Sequence, residues 1–444
     1  MKVRSFPQNP GPPAWDAILP QGQTYPELRE TQTVDWLVIG AGFAGLSAAR
    51  RLQERAPTDR ITILDAKRIA EGPSGRNTGF MIDLPHDLAS EDYGGNVEKD
   101  RATIAQNRAA IDFAKQTVES FDMPPEAFRD VGKINGAASA KGMTHNSDYA
   151  KHLENLGEAH EMLDAKMMHE ITGTRYYQGG LFTPGTVMLQ PALYIRALAQ
   201  NLLSNRLQIY ENSPVQSLEH EQGLWVASTG QGRVAAPKVI LATNGHIQNF
   251  GFYKRRFVHV FTYGSMTRAL TPDEDKKLGG HDNWGLTPAD PLGSTVRRIT
   301  GRGGSRIIVR NRFTYEPSMQ PSENKLAAIY QTHQRSFDAR FPMLGSVSME
   351  HQWGGHLTLS LNNVAAFGEV GEGLYSACCQ NGLGTVKGTL HGICAADLAT
   401  GHITPMVQSL LSEAQPAKLP PEPFATLGAR AKIRWGEYRA GPEL

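Results

Sequence analysis

The residues of this chain best placed to do chemistry are three glycines and an acid. Val34-Asp-Trp-Leu-Val-Ile-Gly-Ala-Gly-Phe-Ala-Gly-Leu-Ser-Ala-Ala-Arg50 sets Gly40, Gly42 and Gly45 in a Gly-x-Gly-x-x-Gly run, with an apolar strand leading in and a helix leading out. Gly40 permits the tight turn, Gly42 lets the backbone approach a pyrophosphate, and Gly45 lets helix and strand pack closely. The helix N-terminus then offers free N–H groups and a positive dipole end to the phosphates. Ile61-Thr-Ile-Leu-Asp65 follows as a second strand. Asp65 stands 20 residues beyond Gly45, where a carboxylate accepts from a ribose hydroxyl. Strand, glycines, helix and strand-end acid agree on an adenine-dinucleotide site.

Three later segments fit the same ligand. Gly72-Pro-Ser-Gly-Arg-Asn-Thr-Gly79 can bring backbone N–H groups and the Ser74 hydroxyl to a phosphate or ribitol chain. Arg76 within it could pair with a phosphate or face an acid. Val239-Ile-Leu-Ala-Thr-Asn-Gly245 is a buried strand ending in small residues, and ligands lie at such strand ends. Gly382-x-Gly384 opens a helix whose N-terminal dipole favours negative charge. Other chemistries lack their residues. Gly72-Pro-Ser-Gly75 is not the Gly-x-Ser-x-Gly of a hydrolase, and His169-Glu170 lacks the second histidine of a zinc motif. His152, His160 and His169 share no close i,i+4 spacing, so no metal is expected.

The elements that must hold these residues follow from pattern. Residues 36–39, 42–55 and 60–64 form a βαβ unit, which implies a parallel sheet. Helices are expected over 97–121, 146–170, 189–203 and 385–399, and strands over 207–210, 215–219, 224–228, 238–242 and 373–377. Residues 251–355 read as mostly β, and 1–31, rich in Pro and Gly, as an extended arm. Nucleotide-binding pieces therefore lie at both ends and in the middle, with β-rich material inserted.

Lys and Arg number 45 against 44 Asp and Glu, so no global field favours nucleic acid. No apolar run reaches spanning length and no apolar signal segment opens the chain, so a cytoplasmic location is expected. Cys378, Cys379 and Cys394 are too few for a disulfide framework and read as free thiols. Adjacent Cys378–Cys379 leaves a strained vicinal disulfide as the alternative.

Taken together, the motifs resemble the D-amino-acid oxidase-like FAD-dependent oxidoreductases, and within them the γ-glutamylputrescine oxidase-like branch. The resemblance spans nearly the whole chain. It rests on Tyr25-Pro-Glu-Leu, GAGFAGLSAARRL from Gly40, Gly72-Pro-Ser-Gly-Arg-Asn, Leu241-Ala-Thr-Asn-Gly245, Trp353-Gly-Gly355, and Gly373-Leu-Tyr-Ser-Ala377 running into Asn381-Gly-Leu-Gly384. The chain departs from the pattern at Pro73, Thr78, Cys379, Asn381 and Leu383, and Ser360–Phe367 lacks the usual aspartate–proline pattern. The family thus does not name the substrate or the electron acceptor.

The resemblance implies an α/β fold: a Rossmann-type FAD-binding domain with an inserted β-rich substrate domain, as in glycine oxidase and sarcosine oxidase. The FAD-binding part would take residues 32–90, 186–250 and 356–444, and the substrate part 91–185 and 251–355. FAD, held non-covalently, would lie on Gly40, Ala41, Gly42, Phe43, Ala44 and Gly45, then Asp65, Ala66 and Lys67. Ser74, Gly75, Arg76, Asn77, Thr78, Gly79, Phe80 and Met81 would run beside the flavin ring. Val215 would meet the adenine, Ala242, Thr243 and Asn244 the strand-end side, and Gly382, Leu383, Gly384 and Thr385 the pyrimidine edge. There a helix dipole would stabilise charge gained on reduction.

The implied activity is oxidation of a C–N bond in a small amine or amino acid, with hydride to flavin N5, hydrolysis of the imine, and O2 or another acceptor taking the electrons. The alternatives are an amine dehydrogenase, or an FAD-binding subunit of an electron-transfer complex. For an acidic substrate Arg312 is the chosen anchor, with Arg298 next. Tyr263, Tyr315 and Trp353 could line the amine pocket, and His86 could contact substrate. An aromatic hydroxylase needs an Asp-Gly pair that Gly368-Glu-Val-Gly371 does not supply, and a disulfide reductase needs a second Gly-x-Gly-x-x-Gly and a Cys-x-x-Cys.

Overall fold

The computed structural model describes residues 1–85 and 95–444. At its centre is a six-stranded sheet in the order Leu207–Tyr210, Ile61–Leu64, Trp36–Ile39, Lys238–Leu241, Leu374–Cys378 and Ala366–Gly371. The first five strands run parallel and the last is antiparallel. Trp36–Ile39 and Ile61–Leu64 are buried at every residue, as expected when both sheet faces are covered. On one face Trp36, Val38, Ile61 and Ile63 pack with the helices Phe43–Arg55 and Val386–Ala399. On the other, Leu37, Ile39 and Leu241 meet Leu218, Ala227 and Val234 of a four-stranded sheet built from Thr31–Thr33, Arg233–Ala236, Leu224–Ser228 and Ser217–Glu221.

Gly388 and Gly392 let the two helices touch. A Cβ on Gly392 would lie 2.1 Å from the Ala44 carbonyl oxygen, and one on Gly388 would lie 3.2 Å from the Phe43 Cβ. The crossing therefore fixes the start of the last nucleotide-side helix against the start of the first.

A second, eight-stranded sheet runs Met349–Leu359, Val258–Thr267, Arg306–Tyr315, Thr295–Ile299, Trp284–Pro288, Lys133–Ala137, Gly179–Thr183 and Glu161–Asp164. This is the inserted β-rich material, and it has helices of its own. Glu323–Arg340 is an 18-residue helix inside the stretch expected to be mostly β, and Ile329, His333 and Phe337 form its buried face. The expected helix over 146–170 is in fact two. Ala140–Leu156 ends where Gly157 takes φ +78°, strand Glu161–Asp164 follows, and Ala165–Thr172 is a separate helix. Glycine in the left-handed region stops a helix whatever charges follow it.

Two segments lie away from the part to which sequence assigned them. Helix Phe424–Ala440 and the residues after it pack on the eight-stranded sheet rather than on the nucleotide side. There the Glu443 carboxylate accepts from Ala138 N at 2.9 Å and Ser139 Oγ at 2.8 Å, and the Leu444 carbonyl from Ser336 Oγ at 2.8 Å. Conversely, helix Val97–Ser120 packs against Val386–Ala399. The N-terminal arm is extended except for one turn at Ala14–Ala17, and it is anchored by the fully buried Trp15 and Leu28. All three cysteines are buried free thiols. Among the described residues no helix is long and apolar enough to cross a membrane.

Candidate functional site

The glycine loop does what its spacing requires. Gly40 takes φ +107°, a conformation that favours glycine. A Cβ on Gly45 would sit 1.7 Å from the Gly40 carbonyl oxygen, so helix and strand meet with no room for a side chain. At Gly42 a Cβ would meet only Ser74, at 3.5 Å. The space beside Gly42 is open, and it is part of a long cavity.

One end of that cavity is walled by Asp65, Ala66, Lys67, Ser213 and Val215; its middle by Gly40 to Ala44, Ser74 and Ala242 to Asn244; its far end by Asn77, Leu357, Gly382 and Gly384. Asp65 is half-buried and faces the cavity. Its Oδ2 accepts from Ala41 N and its Oδ1 from Lys67 N, each at 2.8 Å. Burial pushes its pKa up to about 6, and these two backbone N–H groups pull the other way. Each oxygen keeps a second lone pair for a ribose hydroxyl. An open glycine cradle, an acid at one end and a helix start at the other fit a dinucleotide carrying a ring system.

The chain brings together most, not all, of the expected cofactor residues. Thr78, Phe80, Leu383 and Thr385 line a second cavity that meets the first at Asn77, Leu357, Gly382 and Gly384. Gly45, Gly75, Gly79 and Met81 line neither. They shape the backbone instead: a Cβ on Gly75 would lie 1.9 Å from the Ala70 oxygen and one on Gly79 2.3 Å from the Leu189 oxygen, while Met81 is fully buried. Arg76 lines the long cavity, and three backbone carbonyls hold its guanidinium. It gives Nε–H to the Glu71 carbonyl at 2.6 Å and Nη1–H to those of Pro10 and Gly354 at 3.1 and 3.2 Å.

Several lining residues had no sequence signal. Val3, Ser5, Phe6 and Asn9 of the arm close over the long cavity. His246 and His356 also line it, and His259 stands behind them, with Nδ1 at 3.1 Å from His356 Nε2. Desolvation lowers all three rings, His246 and His259 to about 4. They are therefore neutral near pH 7.

The second cavity is walled by Phe80, Ile82, Thr287, Pro288, Thr295, Leu357 and the loop Asn381 to Thr385. Its one cation among the described residues is Arg310. Neither expected anchor is there. Arg298 is buried and donates to the Gly279 and His281 carbonyls and to Asp275 at 3.0 Å, clamping a turn. Arg312 is the bulged residue of its strand: it has φ +63°, and pairing shifts from Tyr263↔Asn311 to Thr262↔Phe313. The bulge breaks the strand's alternation, and Arg312 pairs with Glu437 at 3.0 Å on the C-terminal helix. Tyr263 is fully buried, its hydroxyl 2.6 Å from Thr314 Oγ1. Trp353 is buried and donates Nε1–H to the Arg76 carbonyl at 2.8 Å. Tyr315 lines the neighbouring crevice under the C-terminal helix and not this cavity. His86 lies outside the described residues.

Helix Val386–Ala399 starts where the two cavities meet, and no side chain caps it. Thr385 Oγ1 instead donates to the Phe80 carbonyl at 2.6 Å, tying the helix start to the Gly72–Met81 side.

Comparison with known proteins agrees with this geometry. The family model described as FAD dependent oxidoreductase matches residues 35–398. "Probable oxidoreductase OrdL" of Haemophilus influenzae is 26% identical over 393 residues, covering 85% of each chain. Gamma-glutamylputrescine oxidoreductase of Escherichia coli is 24% identical, over 84% of this chain and 85% of the relative. Among solved structures, glycine oxidase from Geobacillus kaustophilus superposes with a TM-score of 0.69 at 17% identity, over 84% of this chain and 96% of that one. At that identity the likeness is one of fold.

Proposed function

The chain belongs to the FAD dependent oxidoreductase family, and from that premise we propose that it oxidises the C–N bond of a small amine carrying a carboxylate. The observation that carries this reading is Arg310, the one charged residue among the described lining of a cavity that meets the FAD site at an uncapped helix N-terminus. When bound, FAD supplies the two-electron acceptor for the hydride lost from the carbon next to nitrogen.

The chain's own residues bind, orient and shield. The Arg310 guanidinium takes the substrate carboxylate and sets the distance from anchor to reacting carbon. Phe80, Ile82 and Leu357 keep water from that carbon. The first N–H groups of Val386–Ala399 present a fixed positive potential toward the junction of the cavities. Among the described residues no Asp, Glu or His lines the second cavity, so the substrate nitrogen gives its proton to solvent before reaction. Water then hydrolyses the imine to an aldehyde or keto acid and releases ammonia or an amine, and O2, taking the two electrons that bound FAD would have accepted together with two protons, leaves as hydrogen peroxide. FAD is held without a covalent bond, since the three thiols are buried, each with its pKa pushed up to about 11 or 12 by desolvation. Free thiols fit the reducing cytoplasm, where we place the chain.

An anaerobic screen of amines and amino acids, read as bleaching of the flavin, tests this reading. Bleaching should be confined to amines, favour those bearing a carboxylate, and speed up with pH toward the pKa of the amine. Bleaching by NADH or NADPH but by no amine would contradict it.

A further inference from the structure

Helix Phe424–Ala440 has two unlike faces. Ala425, Ala429, Ile433, Gly436 and Ala440 turn inward, and the helix packs on strand Arg306–Tyr315. Outward stand Phe424, Leu427, Trp435 and Tyr438, which are 67%, 61%, 62% and 77% exposed. With Ala431 they recur at i, i+3, i+7, i+11 and i+14. At about 100° per residue that spacing draws one narrow apolar stripe along the full length of the helix. Cations flank it on both sides: Arg430 and Arg434 on one edge, Lys432 and Arg439 on the other. The helix has one acid, Glu437, and it turns inward to Arg312 at 3.0 Å. With a net charge of +1 over the whole chain, this concentration of positive charge is local.

We propose that this helix docks the protein flat on an anionic lipid surface. Large apolar side chains bordered by Arg and Lys match the section of a bilayer interface. Phe and Leu enter the acyl boundary, the amphipathic Trp and Tyr rings sit at headgroup depth, and the long basic side chains reach up to lipid phosphates. A second copy of this chain is a poorer occupant. Stripe-to-stripe contact would set Arg430, Lys432 and Arg434 against the same three cations, with no outward acid on either helix. The position of the helix gives the docking a use. The helix roofs the crevice of Val260, Phe313 and Leu359, which shares Pro291 and Asn381 with the cavity holding Arg310.

The test is co-sedimentation of the FAD-loaded full chain with vesicles of phosphatidylcholine alone and of phosphatidylcholine with phosphatidylglycerol. The protein should pellet with the anionic vesicles, and binding should fall by about tenfold or more in high salt. Leu427→Asp with Tyr438→Asp should abolish pelleting, and Arg430→Glu with Arg434→Glu should do so on the anionic vesicles. These side chains line neither the FAD cavity nor the one beside it, so flavin content and amine oxidation in solution should not change. Equal binding to neutral vesicles, no binding to either, or pelleting that survives both pairs of substitutions would overturn the proposal. So would a dimer in sedimentation velocity that Leu427→Asp disperses in a protein that ignores vesicles.

Discussion

At the scale of single residues, two glycines three positions apart separate folding from binding. A side chain at Gly45 meets a backbone oxygen at 1.7 Å, whereas one at Gly42 meets open space and Ser74. Gly45→Val should therefore cost about 3 kcal/mol or more of stability, through overpacking. Gly42→Val should leave the apo chain folded and remove FAD, because the new methyls occupy the pyrophosphate's position. Denaturant unfolding and flavin absorbance of the two variants check this. The arginines divide in the same way. Arg310→Ala should raise the Kd of a carboxylate substrate by about 10- to 100-fold, the loss of a charge-assisted contact, with less effect on the limiting rate of reduction. Arg312→Ala should leave that Kd within about twofold and remove only a partly exposed ion pair. Stopped-flow reduction at varied substrate concentration separates them. Sequence could not place Arg312 against Glu437 and Arg310 on the cavity, because a bulge of one residue decides which arginine reaches it.

At the scale of elements, the site depends on two contacts distant in sequence. The crossing of Phe43–Arg55 with Val386–Ala399 places both helix starts on the FAD cavity, and Gly392 permits it. Gly392→Val should cost about 2–3 kcal/mol by urea unfolding, with FAD affinity falling in parallel, since its methyls would force the helices apart. The other contact is the N-terminal arm. Val3, Ser5 and Phe6 cover the FAD cavity, and Trp15 ties the arm down by donating Nε1–H to the Asn77 carbonyl at 2.7 Å. Deleting residues 1–9 should speed FAD release by about tenfold, for the loss of roughly one buried apolar side chain's worth of contact. Of these elements, the βαβ unit and the last nucleotide-side helix were legible, because period and glycine spacing encode them locally. The arm's covering role was not, since Pro and Gly specify an extended chain without saying what it lies on. Helix Glu323–Arg340 was hidden for another reason: its apolar spacing is sparse among polar residues and lies between strands.

At the scale of the whole molecule, the two sheets enclose groups whose protonation couples folding to pH. His246 and His259 are neutral in the fold down to about pH 4, and desolvation holds His356 well below its ordinary value, whereas in the unfolded chain all three protonate near 6.5. The unfolded state then binds more protons, and stability is lost as pH falls through that window. Each ring contributes on the order of 1 kcal/mol per pH unit. Asp65 opposes this, because its raised pKa makes the native state the better proton acceptor between about 4 and 6. Three rings outweigh one acid. Urea unfolding at pH 7 and pH 5 should show lower stability at pH 5, and His259→Gln should flatten the difference. No local pattern in the sequence announced this cluster, since His246, His259 and His356 come from three separate elements. The family and the two-sheet plan were readable because they rest on motifs. The second cavity was not, because it is formed where loop, helix start and four strands of the inserted sheet converge.

The most direct measurement mixes the FAD-loaded protein with a carboxylate-bearing amine under nitrogen and follows the flavin band near 450 nm. The band should bleach, faster at higher pH, and return when air is admitted, with hydrogen peroxide formed in step. A band that no amine bleaches while NADH or NADPH does would contradict the central claim.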